Sequence, residues 1–165
     1  MSQPPSAIDH QPARPAAGPG AAGAIRAAGA GDLAGVRRLL ADAQLPVDGL
    51  EDQFPAAYAV AGPPHALVGA AGVEVHGLCG LLRSVVVAPA ARGTGLGKAL
   101  VADRLAWARA AGLREVYLLT TTAPDFFAAL GFARLERAAA PPAIQASREF
   151  ASVCPGTSVL MRMAL

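Results

Sequence analysis

Leu81-Leu-Arg-Ser-Val-Val-Val-Ala-Pro-Ala-Ala-Arg-Gly-Thr-Gly-Leu-Gly-Lys-Ala-Leu-Val101 is the stretch around which the rest of the chain is organised. It opens as an apolar, β-branched strand through Val85, Val86 and Val87. Pro89 has no backbone N–H to give a sheet, so the strand stops before it. Gly93, Gly95 and Gly97 follow at alternate positions, with Lys98 next. From Leu96 the spacing turns helical. Leu100, Val101, Leu105 and Ala108 share one face, and Gly112 ends the helix. Strand, glycine loop and helix together form a phosphate-binding arrangement. Glycines let the backbone approach an anion, and the N–H groups and dipole of a helix start favour it.

Two familiar phosphate loops do not fit. A P-loop needs glycine five positions before Gly97, where Arg92 stands, and Ala99 cannot ligate magnesium. A dinucleotide fingerprint needs Gly-x-Gly-x-x-Gly, and this loop is one residue short.

The composition sets the outer bounds. At 165 residues, 53% of them hydrophobic, the chain holds one domain with an ample core. No window carries 18 uninterrupted apolar residues, which argues against a membrane span. A net charge of +2 does not make a nucleic-acid binder. Residues 1–23 are rich in Pro, Ala and Gly without an apolar period, so a disordered tail is expected there. They also lack the apolar region of a secretory signal. Cys79 and Cys154 form no metal-spacing motif; no metal is expected, and a reduced, cytoplasmic protein is the simplest reading.

Along residues 24–165, Ala24 to Ala28 reads as a strand. Asp32 is a candidate N-cap, with a helical stripe at Leu33, Val36, Leu39 and Leu40. Leu45 to Leu50 reads as a turn into a second, weaker helix. Strands are expected at Ala56 to Ala61 and Ala66 to Val75, and the chain then turns at Gly77 to Gly80 into the central strand. A β-rich run at Glu115 to Thr122, a short helix at Pro124 to Leu130 and a strand at Phe132 to Arg137 follow. A small helix near Ala143 to Arg148 and a last strand at Ser158 to Ala164 complete an α/β domain around a mixed sheet.

Arg-Gly-x-Gly-Leu-Gly after a strand ending Val-x-Pro resembles the acetyl-CoA loop of the GCN5-related N-acetyltransferases. Phe126-Phe127-x-x-Leu130-Gly131-Phe132 resembles that superfamily's second signature. The resemblance covers Ala24 to Leu165. Three further strings are similar to the small N-acetyltransferases found with bacterial arsenic-resistance genes. They are Leu82-Arg83-Ser84, Tyr117 to Ala123, and Ser147-x-Glu149-Phe150-Ala151-Ser152-x-Cys154-Pro155. That subgroup is itself similar to the short N-acetylglutamate synthases.

The resemblance implies a mostly antiparallel central sheet flanked by helices and splayed at the central strand. It implies acetyl-CoA as the cosubstrate and a small, amino-acid-like amine as the acceptor. Arg92, Gly93, Thr94, Gly95, Leu96, Gly97 and Lys98 would take the pyrophosphate. The main chain of Val85, Val86 and Val87 would pair with the pantetheine and polarise the thioester carbonyl, and Phe127 would lie beside the pantetheine. A homodimer is compatible with the resemblance. The alternatives are a glutamate N-acetyltransferase of arginine synthesis and a CoA-binding regulatory module without catalysis.

Two family positions are altered. Leu81 stands where many relatives carry a glutamate base, and Phe127 where many carry a tyrosine acid. Glu74, His76 or a water chain remain as the route for the amine proton. A thiolate of pKa ~8.5 leaves tolerably without a dedicated acid, or with a hydroxyl from Thr120 to Thr122. Arg83 is a lone charge in an apolar strand. It either grips a substrate carboxylate or forms an internal ion pair with Glu74 or Glu149. Cys154 reads as a small apolar residue or as an arsenic-binding thiol.

Overall fold

The computed structural model describes residues 23–153 and 156–165. The tail expected over residues 1–23 therefore falls outside the described residues except for Gly23, and so does Cys154.

A seven-stranded sheet carries the domain, in the order β1-β2-β3-β4-β5-β7-β6. Its strands are β1 (Ile25–Ala27), β2 (Tyr58–Ala61), β3 (Gly69–His76), β4 (Cys79–Val87), β5 (Glu115–Thr120), β6 (Ala133–Leu135) and β7 (Val159–Ala164). Only β4 and β5 run parallel; every other pair is antiparallel. The helices are α1 (Leu33–Asp42), α2 (Leu96–Ala110), α3 (Pro124–Ala129) and the single turn α4 (Pro142–Gln145). A π-helical turn spans Glu149–Val153.

Each face of the sheet buries one of the long helices. On one, Val101, Leu105 and Ala108 of α2 pack with Val73, Leu82, Val116 and Leu118. On the other, Val36 and Leu40 of α1 pack with Tyr58, Val60, Ala70 and Val86. Each such leucine contributes roughly 1.5–3 kcal/mol by leaving water, so these two stripes hold β4 between the helices.

The second helix expected after the Leu45 to Leu50 turn is absent. A 3-10 turn at Leu50–Asp52 is all that forms. Pro46 and Pro55 bracket the stretch and push their preceding residues out of helical backbone. What remains between them is too short to nucleate a helix alone. Asp32 also differs from expectation. It precedes α1 but its carboxylate turns back, accepting from the Gly29 N–H at 2.8 Å and from Arg26 at 2.7 Å. β6 is shorter than expected because the chain enters a 3-10 turn at Arg137–Ala139. Leu119 and Thr120 end β5 because its partner β7 also starts there, at Val159.

Two irregularities of β4 shape the site. Its register against β3 passes from Ala70↔Val86 to Gly72↔Arg83, so Ser84 and Val85 together oppose Ala71. This is a β-bulge, which bends the strand and re-aims its groups. Pairing of β4 with β5 ends at Leu82↔Leu118. Beyond that point the two parallel strands diverge.

Candidate active site

The divergence of β4 and β5 opens a cleft of about 1350 Å³. Ser84, Val85, Val86 and Val87 line it on one side, and Leu119 to Thr122 line it on the other. The ladder has already stopped at Leu82, so the β5-facing main chain of Val85 to Val87 is left without a strand partner. An extended ligand could pair there as an added strand would.

At one end the cleft meets the glycine loop. Arg92, Gly93, Gly95, Leu96, Gly97 and Lys98 all line it. Gly93 and Gly95 hold φ of 76° and 84°, in the left-handed region, and a Cβ on either would meet nothing within 4 Å. The loop backbone is thus open to a ligand. Gly95 also precedes the first turn of α2, whose leading N–H groups lack partners inside the helix. Arg92 and Lys98 are exposed beside it. The Arg92 Nε donates to the Val87 carbonyl at 3.1 Å, which anchors the side chain across the loop. Thr94 is the one residue of the loop that does not line the cleft; its hydroxyl donates to the Ala91 carbonyl at 2.7 Å and braces the turn. Leu96 is mostly buried against Leu100 and Ala59. Phe127 is buried at the cleft wall, edge-on to Phe126 at 5.0 Å and to Phe132 at 5.9 Å. A ring so packed offers an apolar wall and no proton. The Thr120 Oγ1 accepts from the Ala123 N–H at 3.1 Å, so it serves the turn into α3.

At the other end the cleft is polar. Gln44, Asp48, Arg148, Glu149 and Ser158 line it. Glu149 joins a buried network. Its Oε2 lies 2.9 Å from the Arg83 Nε, while the Arg83 Nη1 pairs with Glu74. The Arg83 Nη2 donates to the Asp48 carbonyl at 2.7 Å. His76 Nε2 lies 3.1 Å from the second oxygen of Glu74. Burial alone would lower the Arg83 pKa, but Glu149, with Tyr58 and Glu74, outweighs it and holds the guanidinium above its ordinary value.

The structure therefore places Arg83 in the internal ion pair, and with both carboxylates at once. Its donors are spent on protein groups, and neither Arg83, Glu74 nor His76 lines the cleft. Glu149 is the member of the network that does. Cys79 is half-buried at the start of β4, and burial pushes its thiol up. Sequence reasoning missed Ser84, Asp48 and Arg148 as cleft residues. Nothing in the local sequence marks a bulge at Ser84, since it arises from the register with β3.

A family model described as the acetyltransferase (GNAT) family matches residues 36–136. Among solved structures, N-acetylglutamate synthase from Neisseria gonorrhoeae, complexed with coenzyme A and L-arginine, has a TM-score of 0.71 at 22% identity. The match covers 88% of this chain and 34% of that one, so the chain spans about a third of the synthase's length. A Mycobacterium tuberculosis protein in complex with CoA and a second ligand has a TM-score of 0.72 at 23% identity, covering 86% of this chain and 99% of that one. A phosphinothricin acetyltransferase from Sinorhizobium meliloti, in complex with AcCoA, has a TM-score of 0.60 at 20% identity, covering 87% and 89%. At these identities the likeness is one of fold. No curated protein matches the chain. Among the described residues, no helix is long and apolar enough to cross a membrane.

Proposed function

The chain belongs to the acetyltransferase (GNAT) family, and on that premise we propose that it transfers the acetyl group of acetyl-CoA to the amine of a small, amino-acid-like acceptor. One observation carries the reading. A single cleft runs from the open glycine loop, past the parted strands, to a rim of paired charges.

The loop from Arg92 to Lys98 suits a pyrophosphate, through main-chain N–H groups and two exposed cations. The edge of Val85 to Val87, which no strand covers and where only the Val87 carbonyl is taken up by Arg92, suits the amides of a pantetheine arm. A main-chain N–H there can also stabilise negative charge on the thioester oxygen, a contribution of about 3–4 kcal/mol in enzymes that have been dissected.

The acceptor end supports an amino-acid-like ligand. Arg148 and Glu149 are adjacent in sequence and both reach the cleft. A zwitterion needs one group of each sign. Arg148 can receive the carboxylate as a charge-assisted pair, and Glu149 the ammonium. In this reading Glu149 also takes the amine's proton, freeing its lone pair for attack. Arg83 holds the Glu149 carboxylate in place, Glu74 fixes Arg83, and His76 acts only through Glu74. The similarity to arsenic-resistance acetyltransferases adds arsenic- and phosphorus-containing amino-acid analogues to the acceptors worth testing.

The test is a thiol-release screen with acetyl-CoA. The panel contains amino acids including glutamate, their arsenic and phosphorus analogues, and matched amines without a carboxylate. Steady release with an acid-bearing amine, and weak release with its decarboxylated match, is the expected result. Equal turnover of both would remove the zwitterion argument. No turnover with any amine, alongside tight CoA binding, would favour a regulatory module.

A further inference from the structure

Ser84 is held at φ 56° within the β4 bulge. This is left-handed backbone, which glycine adopts freely and a serine does not. The chain nonetheless keeps a side chain there. Its Oγ is buried and has no hydrogen-bond partner among the described residues. The residue also lines the cleft, next to the point where β5 leaves β4. Behind it stands Tyr58, whose hydroxyl is likewise buried and without a hydrogen-bond partner among the described residues. The Ser84 hydroxyl acts on the Tyr58 phenol as a hydrogen-bonding neighbour, which lowers the Tyr58 pKa against the burial that raises it. A buried hydroxyl in a native fold calls for a partner. Tyr58 and Ser84 can satisfy each other in part, and the remaining donor of the outer hydroxyl, on a residue that lines the cleft, points to a ligand atom.

We propose that the Ser84 hydroxyl donates a hydrogen bond to the thioester carbonyl oxygen of acetyl-CoA, while the Tyr58 hydroxyl donates to Ser84 Oγ from behind. The assignment rests on the acetyl-transfer function proposed above. As the amine nitrogen bonds to the carbonyl carbon, the π pair moves onto oxygen. Ser84 keeps its proton and donates more strongly to that charged oxygen. When the C=O re-forms, the C–S bond breaks and the sulfur leaves with its electron pair. Ser84 is thus a catalytic residue and Tyr58 a positioning residue. Burial pushes the Tyr58 pKa up, which keeps its donor hydrogen in place. The ring is also fixed from below: a Cβ on Gly72 would lie 2.3 Å from it. Phe54 packs on it at 5.2 Å.

Ser84→Gly is the decisive variant, because glycine accepts the left-handed backbone of the bulge while the CH2OH group is removed. The expected loss in kcat is roughly 10²–10³-fold, the usual effect of deleting one such donor. Acetyl-CoA affinity by calorimetry, the acceptor KM and the melting temperature should hardly move. Isotope-edited infrared spectra of bound acetyl-CoA, labelled with 13C at the carbonyl, give a second readout. The carbonyl band should sit below its solution position in the unaltered protein and return toward it in Ser84→Gly. Tyr58→Phe should lower kcat less, and adding it to Ser84→Gly should cost nothing more. An unchanged kcat and an unchanged carbonyl band in Ser84→Gly would overturn the proposal. So would a raised acceptor KM with kcat intact, which would move the hydroxyl to acceptor binding. If the unaltered protein turned over no amine, the proposed function would fail, yet the carbonyl band would still test Ser84.

Discussion

The Arg83 Nε stands 2.9 Å from Glu149 Oε2, and both side chains are almost fully withdrawn from solvent. Glu149 comes from the π-helical turn and Arg83 from β4, so this pair ties the wall of the acceptor end to the central strand. Arg83→Lys keeps the charge but loses the planar fork that also reaches Glu74 and the Asp48 carbonyl. Removing a partner from a buried ion pair is strongly destabilising, and for this partial loss about 2 kcal/mol is expected. Urea unfolding should show it. A variant with unchanged stability and only a raised acceptor KM would instead place the guanidinium on a substrate carboxylate.

Glu149→Gln should separate base from scaffold. If the carboxylate takes the amine's proton, kcat/KM for the acceptor falls about 10²-fold or more at neutral pH. Activity should recover as the pH approaches the amine's own pKa, because the acceptor then arrives neutral. Glu74→Gln, one step further from the cleft, should lose less and keep the pH profile of the unaltered protein. Matching pH–rate profiles for the two variants would remove Glu149 from the proton route.

Asp32 should make the fold acid-sensitive. Its hydrogen bonds with Arg26, and with the Gly29 N–H, hold its carboxyl below the ordinary range despite burial. The folded pKa thus lies under the unfolded value of ~3.9. Its stabilisation is complete above about pH 4 and drains away as the pH falls through the folded value. Asp32→Asn should cost roughly 1–3 kcal/mol at neutral pH and flatten the loss of stability below pH ~4. Thermal melts from pH 7 to pH 3 check both, and parallel curves for the two proteins would refute the assignment.

Gly72→Ala should disturb Tyr58 before anything else. The added methyl falls 2.3 Å from the phenol ring, closer than packed atoms come. Overpacking of this kind costs about 1–3 kcal/mol. A smaller side chain at Tyr58, as in Tyr58→Leu, should restore part of the stability lost in Gly72→Ala. Additive losses in the double variant would mean the clash is relieved elsewhere.

How much of this was legible beforehand follows from where each determinant lies. The glycine loop, β4 before it and α2 after it are set by local residues, and they stand where Val87, Gly95 and Gly112 placed them. The parting of β4 from β5 was implied only by family resemblance, since strand pairing is not written in either strand alone. The two fates of Arg83 could not be separated because Glu149 reaches it from a distant turn. Ser84 was invisible as a site residue, because its backbone angle follows from a register shift against Ala70 and Gly72. The second helix expected after the Leu45 to Leu50 turn does not form, because Pro55 follows closely and the Asp48 carbonyl's bond to Arg83 favours an irregular turn.

The central claim is that the cleft takes acetyl-CoA through the Arg92 to Lys98 loop, and calorimetry with Gly95→Asp tests it most directly. An aspartate tolerates the left-handed backbone at this position better than most residues, so the fold should survive, as circular dichroism can verify. Its side chain would set a negative charge against the pyrophosphate at the start of α2. The account predicts saturable binding of acetyl-CoA to the unaltered protein and none measurable to the folded variant. Equal affinity in the two proteins would contradict it.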